Sequence, residues 1–168
     1  MIENTEYTIQ DLELSDESFL WEMLYQAIFV APHEQPLSRD ILQSQKIARY
    51  VKEWGKQGDI GFKVLLNTYN TPAGAIWVRN FTQKNKGYGF VDDNTPELSM
   101  SVTQGFRGKG LGTLLLKRLF SRLTEEGIKF VSLSVSLANP ARRLYQRLDF
   151  TDIGTEYDDS ITMIRKLY

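Results

Sequence analysis

The sequence contains no cysteine and only one histidine among its 168 residues. A chain without cysteine has no disulfide, no thiolate metal ligand and no cysteine nucleophile. A single histidine is a poor basis for a metal site, so we expect no metal. The lack of cysteine also fits a reducing compartment, and we expect the protein to be cytoplasmic.

The sequence also has no excess of positive charge and no long apolar run. Lys and Arg total 20 against 21 Asp and Glu, so the formal net charge is −1. A balance of this kind argues against a nucleic-acid partner. No apolar stretch approaches the roughly 18 residues of a membrane span, so we expect no membrane partner. The opening MIENTEYTIQDLEL has neither a basic region nor an apolar core, and we expect no signal peptide.

The periodicity of apolar residues predicts one mixed α/β domain over residues 1–168, in the order β-α-α-β-β-β-α-β-α-β-β. The expected strands are Tyr7–Leu14, Gly61–Thr68, Ala73–Phe81, Glu97–Thr103, Lys129–Leu137, Thr151–Tyr157 and Ile161–Leu167. The expected helices are Asp16–Phe29 with an N-cap at Ser15, a stretch capped by Ser38 and interrupted near Gln45 that ends before Gly55, then Gly108–Glu126 and Pro140–Leu148. The second and third strands should form a hairpin, and so should the last two.

Four of the 12 glycines fall within residues 105–112, in the stretch TQGFRGKGLGTLLLKRLF. A strand, this loop and a leucine-rich helix follow one another. The first amides of a helix lack partners and carry partial positive charge, which favours anions. Glycine lets an anion approach the backbone closely. With Arg107 and Lys109 adding charge, the pattern predicts a local anion site, unless the glycines only serve a tight turn.

Two well-known phosphate loops do not match this stretch. Gly105 to Gly110 has the spacing of a Walker loop, but Leu111 stands where lysine is required. Gly108, Gly110 and Gly112 alternate, whereas the dinucleotide fingerprint is G-x-G-x-x-G. The anion site, if present, is therefore of another kind.

Two motifs together resemble the GNAT superfamily of N-acetyltransferases. The first is R-x-x-G-x-G, found here as Arg107-Gly108-Lys109-Gly110-Leu111-Gly112. The second is an asparagine, a helical tyrosine and an aromatic that opens the next strand, found here as Asn139, Tyr145 and Phe150. Asn139 precedes Tyr145 by six residues where many members have seven, and Asp149 replaces a glycine that is usual in the family. The element order resembles that of the family along nearly the whole chain.

This resemblance implies a GNAT-like fold, with a mixed, mostly antiparallel central sheet, a splayed parallel strand pair and about four flanking helices. It implies acetyl-CoA as co-substrate, with the diphosphate on the loop. The implied cofactor-binding residues are Met100, Ser101, Val102, Arg107, Gly108, Lys109, Gly110, Leu111, Gly112, Thr113 and Asn139. The first three would act through their backbone, and an amide near Val102 could stabilise an oxyanion.

Serine and threonine alternate with apolar residues along the fourth and fifth predicted strands. A parallel pair buried on both faces is normally almost continuous in apolar residues. The small hydroxyls either let a helix pack closely or, as the resemblance implies, accompany a gap between two splayed strands.

The resemblance also implies catalytic roles, with a primary amine of a small molecule or a protein as acceptor. Tyr145 stands at the family's position for the acid that protonates the leaving thiolate, or else only positions the sulfur. Glu97 is the candidate base, acting directly or through water, or else is a solvated strand-end charge. Asp92 and Asp93 are weaker candidates for the base. A homodimer is compatible with the family.

The residues that would bind the acceptor are less defined by sequence. The candidates are Trp21, Tyr25, His33, Trp77, Arg79, Tyr88 and Phe90, which could form a pocket or belong to the core. Arg79 could pair with Glu97 or with a substrate carboxylate. A non-catalytic acyl-CoA sensor is the alternative to an enzyme, since the same loop would serve either.

Overall fold

The structure is a computed structural model that describes residues 6–154, 157 and 159–168. Within these residues the strands are β1 Tyr7–Asp11, β2 Ile60–Leu66, β3 Thr71–Arg79, β4 Glu97–Val102, β5 Phe130–Ser136, β6 Thr151–Gly154 and β7 Ser160–Lys166. The helices are α1 Glu17–Ala27, α2 Gln45–Ala48, α3 Leu111–Glu125 and α4 Ala141–Arg147. Short 3-10 turns occur at Leu14–Asp16 and Arg39–Gln43. The predicted element order is confirmed.

The strands form one sheet in the order β1-β2-β3-β4-β5-β7-β6. Every neighbouring pair is antiparallel except β4 and β5, which are parallel and pair only at Glu97 and Ser132. Beyond that position the two strands separate and leave a gap in the middle of the sheet. The mixed, mostly antiparallel sheet with one splayed parallel pair is therefore confirmed.

The sheet is covered by a hydrophobic core on each face. Residues of β3 alternate between the two cores, since Ile76 and Val78 belong to one cluster and Ala75 and Trp77 to the other. The first cluster contains the apolar face of α3, formed by Leu111, Leu115, Leu116, Leu119 and Leu123. The second contains the buried residues of α1 and the α2 region, among them Leu20, Met23, Leu24, Tyr50 and Trp54. The two clusters thus pack on opposite faces of the sheet.

The start of α1 differs from the prediction. Asp16, and not Ser15, occupies the N-cap position, and the helix ends at Ala27 instead of Phe29. The Asp16 carboxylate accepts a hydrogen bond from the amide of Glu13 at 2.8 Å and pairs with Lys63 on β2 at 2.8 Å. These contacts fix a 3-10 turn over Leu14–Asp16, so β1 and α1 are both shorter than their patterns indicated.

The predicted interruption of the second helical stretch is confirmed. Ser38 accepts a hydrogen bond from the amide of Asp40 and begins the 3-10 turn, which ends at Ser44 before α2. The predicted strand Thr151–Tyr157 is shorter, as β6 ends at Gly154, and positions 155 and 156 lie outside the described residues.

The helix α3 begins at Leu111 and not at Gly108 as predicted. Gly108 and Gly110 have φ of +75° and +80°, which are left-handed values that no α-helix contains. The glycine-rich segment is therefore a loop that ends on the first turn of α3. Gly127, with φ of +75°, ends the helix as expected.

Candidate active site

The loop before α3 presents a row of backbone amides that have no partner. Among the described residues, none of the seven amides from Arg107 to Thr113 donates to an acceptor, and the first helical bond runs from Leu114 to Gly110. The left-handed glycines alternate with other residues, which turns successive N–H groups towards a common side. A Cβ added at Gly108 or Gly110 would meet no atom within 4 Å. We call residues 107–113, with these open amides, the anion cradle.

Two cations accompany these amides. The Nε of Arg107 donates to the carbonyl oxygen of Val102 at 2.8 Å, which ties the loop to the end of β4. The ammonium of Lys109 lies 5.8 Å from the ring centroid of Phe106. Both side chains are exposed. Local positive charge therefore exists here although the whole chain carries a net charge of −1.

Gly112 has a separate role from the other glycines of the motif. It lies inside α3, and a Cβ there would be 3.1 Å from Leu144 Cδ2 and 3.5 Å from Met100 Cε. Its missing side chain lets α3, α4 and β4 approach one another. The structure thereby brings the anion cradle, the predicted strand β4 and the tyrosine-bearing helix together.

The free edge of β4 faces the gap between the splayed strands. The amide of Thr103 donates to Ala73 on β3, so by strand alternation the backbone groups of Ser101 also face β3. Those of Met100 and Val102 then face the gap. The side chain of Ser101 is buried, and among the described residues its hydroxyl has no hydrogen-bond partner.

Asn139 lies two residues before α4, and Tyr145 lies in the middle of that helix. The Asn139 side-chain oxygen accepts from the amide of Ala141 at 2.9 Å and so caps the helix. The Tyr145 ring is 7% exposed and meets Phe150 edge to face, with centroids 5.6 Å apart. Burial raises the pKa of the Tyr145 phenol to about 12, so the group keeps its proton at neutral pH.

Glu97 is the first residue of β4 and is a buried carboxylate, not a solvated strand-end charge. Its side chain is 3% exposed. Oε1 accepts from the Tyr50 hydroxyl at 2.6 Å and from the Gly89 amide at 2.9 Å, while Oε2 has no donor among the described residues. Burial raises the pKa of Glu97 to about 7 against the smaller opposing effect of these two hydrogen bonds. A group that titrates near neutrality is suited to proton transfer.

The segment before Glu97 closes this end of the gap; the sequence predicted Tyr88 and Phe90 as candidates within it, but not the role of its two glycines. A Cβ on Gly87 would lie 2.1 Å from Glu97 Oε2, and one on Gly89 would lie 2.5 Å from the backbone of Leu133 on β5. The hydroxyl of Ser132 donates to the Gly89 carbonyl at 2.7 Å. Two glycines around one tyrosine in an otherwise polar connection were the available signal, since glycine often marks a close backbone approach.

Arg79 does not pair with Glu97, the protein partner predicted for it. It forms a buried ion pair with Asp59 at 2.9 Å, and its guanidinium also donates to the carbonyls of Arg49, Lys52 and Glu53. Asp59 takes the place of Glu97 because the loop before β2 folds under the guanidinium. Arg79 is thus a structural residue of the α2 region.

Most other candidates for the acceptor pocket are structural too. Trp77 is fully buried and donates to the carbonyl of Tyr50, and the Tyr25 hydroxyl donates to the carbonyl of Leu37. Trp21 donates to Glu17, and His33 is exposed. Only Tyr88 and Phe90 belong to the segment that covers Glu97.

The two weaker candidates for the base serve the loop before β4. Asp92 accepts from the amide of Asn94 and Asp93 from the amide of Gln83, and both are exposed. Glu97 is the buried carboxylate of this region. It lies roughly 17 Å from Val102 along β4, five residues at about 3.3 Å each, so the carboxylate and the anion cradle mark opposite ends of one strand.

Two further findings concern the part of the chain that the structure describes. It contains no cluster of three or more histidine, aspartate or glutamate side chains arranged to bind a metal ion. None of its helices combines the length and the apolar character of a membrane span.

Comparison with known proteins relates this site to acetyl transfer. The model of the acetyltransferase (GNAT) family matches residues 15–150. A [ribosomal protein bS18]-alanine N-acetyltransferase of Haemophilus influenzae is 32% identical over 63 residues. That match covers 38% of this chain and 43% of the relative, so the chain spans less than half of the relative's length.

Solved structures share the fold over almost the whole chain. The ribosomal-protein-S18-alanine N-acetyltransferase of Escherichia coli aligns with a TM-score of 0.65 at 20% identity, covering 96% of this chain and 94% of that one. The protein yncA of Salmonella typhimurium, solved with its cofactor acetyl-CoA, aligns with 0.67 at 21%, covering 97% and 95%. The spermidine/spermine N-acetyltransferase SpeG of Vibrio cholerae aligns with 0.63 at 19%, covering 98% and 95%.

Proposed function

The chain belongs to the acetyltransferase (GNAT) family, and we propose that it transfers an acetyl group from acetyl-CoA to a primary amine. The observation that carries this proposal is the row of seven unpartnered amides from Arg107 to Thr113. A backbone built in this way is suited to the diphosphate of coenzyme A.

The residues of the site fit acetyl-CoA in charge and in space. The amides of the loop would bind the diphosphate, and Arg107 and Lys109 would add charge. The open space beside Gly108 and Gly110 leaves room for phosphate oxygens against the backbone. The backbone groups of Met100 and Val102 would hold an extended arm in the gap beside β4. We assign Ser101 and Asn139 to the same site as neighbours of these groups.

Acetyl-CoA, when bound, supplies an acetyl thioester whose thiolate departs as the amide forms. Tyr145 holds a proton at its phenolic oxygen, because burial keeps its pKa at about 12. We propose that this proton is given to the departing sulfur, because a protonated thiol leaves more readily than a thiolate, and that the phenolate regains a proton from the nitrogen that becomes the amide.

We propose Glu97 as the base that receives the proton of the acceptor ammonium. An ammonium with a pKa of about 10.4 must lose a proton before it attacks. Glu97 is covered by Gly87 and Gly89, so we infer that the proton reaches its Oε2 through a bridging water. Tyr50 holds the carboxylate in place through the 2.6 Å hydrogen bond to Oε1.

A second candidate function is a non-catalytic acyl-CoA sensor. One observation favours it: Glu97 and Tyr145 are both buried, as side chains with a purely structural role usually are. The sensor would use the same loop and would bind acetyl-CoA without turnover. A cytoplasmic location, a single domain over residues 1–168 and a homodimer remain predictions.

The experiment that separates the two functions measures thiol release from acetyl-CoA over a panel of amines, with calorimetry of CoA binding alongside. The enzyme predicts turnover that falls at least tenfold in Tyr145→Phe while CoA affinity changes little. Binding without turnover on any amine would support the sensor. Equal losses of turnover and affinity in Tyr145→Phe would assign that residue to binding alone.

A further inference from the structure

A small cavity with three cations lies beside the segment that covers Glu97. It has a volume of about 50 Å³ and is lined by Lys46, Arg49, Lys86, Tyr88 and Tyr157. A water molecule takes up about 30 Å³ in the liquid, so the cavity has room for a group of the size of a carboxylate.

The cavity is connected to Glu97 by short contacts. The amide of Tyr88 donates to the Tyr50 hydroxyl at 2.7 Å, and that hydroxyl donates to Glu97 at 2.6 Å. Arg49 is close enough for its charge to lower the pKa of Glu97. The cavity therefore lies at the Glu97 end of β4, far from the anion cradle at the other end.

The same segment reaches the strands beyond the gap. The Thr162 hydroxyl on β7 lies 3.5 Å from the Tyr88 carbonyl, and the Gly89 backbone lies against β5. Tyr88 also meets Tyr157 edge to face, with ring centroids 4.9 Å apart. The cavity thus stands at the Glu97 end of the gap, next to the proposed base, where the amine of an acceptor would lose its proton.

Among the described residues, the charged side chains that line the cavity are all cations, and none of these three cations forms an ion pair. Arg49 is fixed by hydrogen bonds to the carbonyls of Gln45 and Lys86. The Lys86 ammonium is 5.5 Å from the Phe90 ring centroid. These contacts orient two cations without neutralising them.

A larger cavity nearby differs in this respect. It has a volume of about 390 Å³ and shares Arg49, but Glu53 and Asp59 line it together with its cations, and Asp59 already pairs with Arg79. Its charges are largely satisfied within the protein. Of the two cavities, the small one is thus the one whose described charged lining is entirely positive.

We propose that the acceptor is a small primary amine carrying an anionic group, a carboxylate or a phosphate, and that Lys46, Arg49 and Lys86 bind that group. The inference rests on the proposed acetyl transfer. Guanidinium and ammonium groups form strong charge-assisted hydrogen bonds with such oxygens. The rings of Tyr88 and Tyr157 would pack against the carbon chain between anion and amine. A second cationic group on the acceptor would be repelled, so polyamines are excluded.

The test compares acceptors that share a carbon skeleton and differ in charge. The first series is 4-aminobutyrate, 4-aminobutanamide and 1,4-diaminobutane, with glycine and β-alanine and their amides as shorter members. Ethanolamine phosphate against ethanolamine distinguishes phosphate from carboxylate. In at least one series kcat/KM should be at least tenfold higher for the anionic member, as expected for a hydrogen bond to a charged group.

A matched pair of variants assigns the preference to the cavity. The double change Lys46→Gln and Lys86→Gln should remove most of the preference for the anionic member and leave CoA affinity unchanged. Lys84→Gln, an exposed lysine of the same loop that does not line the cavity, should keep the preference. A preference that survives in the double variant would overturn the proposal.

Equilibrium binding keeps this test independent of turnover. If no amine is acetylated, the proposed function fails, and calorimetry of the same acceptors on the CoA-loaded protein still decides the inference. Tighter binding of anionic members supports the cavity as an anion site. Equal or tighter binding of neutral or cationic members would overturn it, and so would turnover confined to diamines or to peptides.

Discussion

Glu97 is the residue whose ionisation links the site to the stability of the protein. Its carboxyl has a pKa of about 7 in the folded protein against an ordinary value of 4.5, chiefly because it is buried. Because the pKa of Glu97 is higher in the folded than in the unfolded protein, its protonation contributes its full stabilisation below pH 4.5. That stabilisation is lost as the pH rises through 7. The ionised Glu97 that the proposed base requires at neutral pH is thus obtained at the expense of stability.

Glu97→Gln should therefore become more stable relative to the wild type as the pH rises. Glutamine cannot ionise, and a difference between 4.5 and about 7 corresponds to about 3 kcal/mol, at roughly 1.4 kcal/mol per pH unit. Denaturant unfolding of both proteins at pH 5 and pH 9 measures the change. A difference in unfolding free energy that is the same at both pH values would show that Glu97 is ionised throughout.

Tyr50 is a positioning residue for Glu97 rather than a catalytic one. Its hydroxyl donates to Oε1 and so lowers the pKa of the carboxyl. In Tyr50→Phe the ascending limb of the pH–kcat/KM profile should move to higher pH, because Glu97 then loses its proton less readily. Tyr7→Phe is the matched control, since the Tyr7 hydroxyl is buried without a partner. If the ascending limb of the pH profile does not move in Tyr50→Phe, the Tyr50 hydroxyl does not set the pKa of the base.

At the scale of elements, the strand-to-helix unit β4–loop–α3 carries the site. The residue pattern predicted this unit well, because alternation and leucine spacing are local properties of the sequence. The exact start of α3 was wrong by three residues, since the sequence does not reveal that Gly108 and Gly110 adopt left-handed values. The same backbone values that shorten the helix open the anion cradle.

Gly110→Ala and Gly127→Ala form a matched pair at the two ends of α3. Both glycines have left-handed φ, +80° and +75°, and an added Cβ meets nothing within 4 Å at either. Each change should lower the free energy of unfolding by a similar amount, about 1–2 kcal/mol. Calorimetry should find weaker CoA binding in Gly110→Ala alone. Equal CoA affinities in the two variants would show that the loop does not bind CoA.

Long-range contacts set the limit of prediction at this scale. The pairing of Arg79 with Asp59 and the cover of Gly87 and Gly89 over Glu97 join segments that are distant in sequence or lie in a loop without periodicity. Local patterns carry no information about such contacts. The hydrogen bond from Tyr50 to Glu97 was not predicted for the same reason, since the two residues are 47 positions apart in the sequence.

At the scale of the molecule, the sheet is divided at the gap between β4 and β5. One pair of residues, Glu97 and Ser132, joins the two strands, and beyond it the backbone edge of β4 is left free. The cradle closes one end of this opening, and the segment with Gly87 and Gly89 closes the other. The fold thereby places the anion cradle and a titratable carboxylate at the two ends of one strand.

Binding of the diphosphate of coenzyme A by the amides from Arg107 to Thr113 is tested most directly by titrating ¹⁵N-labelled protein with CoA and following the amide resonances. We expect these seven amide resonances to shift together and to saturate with the affinity found by calorimetry, while the resonances around Gly127 stay in place. Saturable CoA binding that leaves the resonances of residues 107–113 unchanged would contradict this expectation.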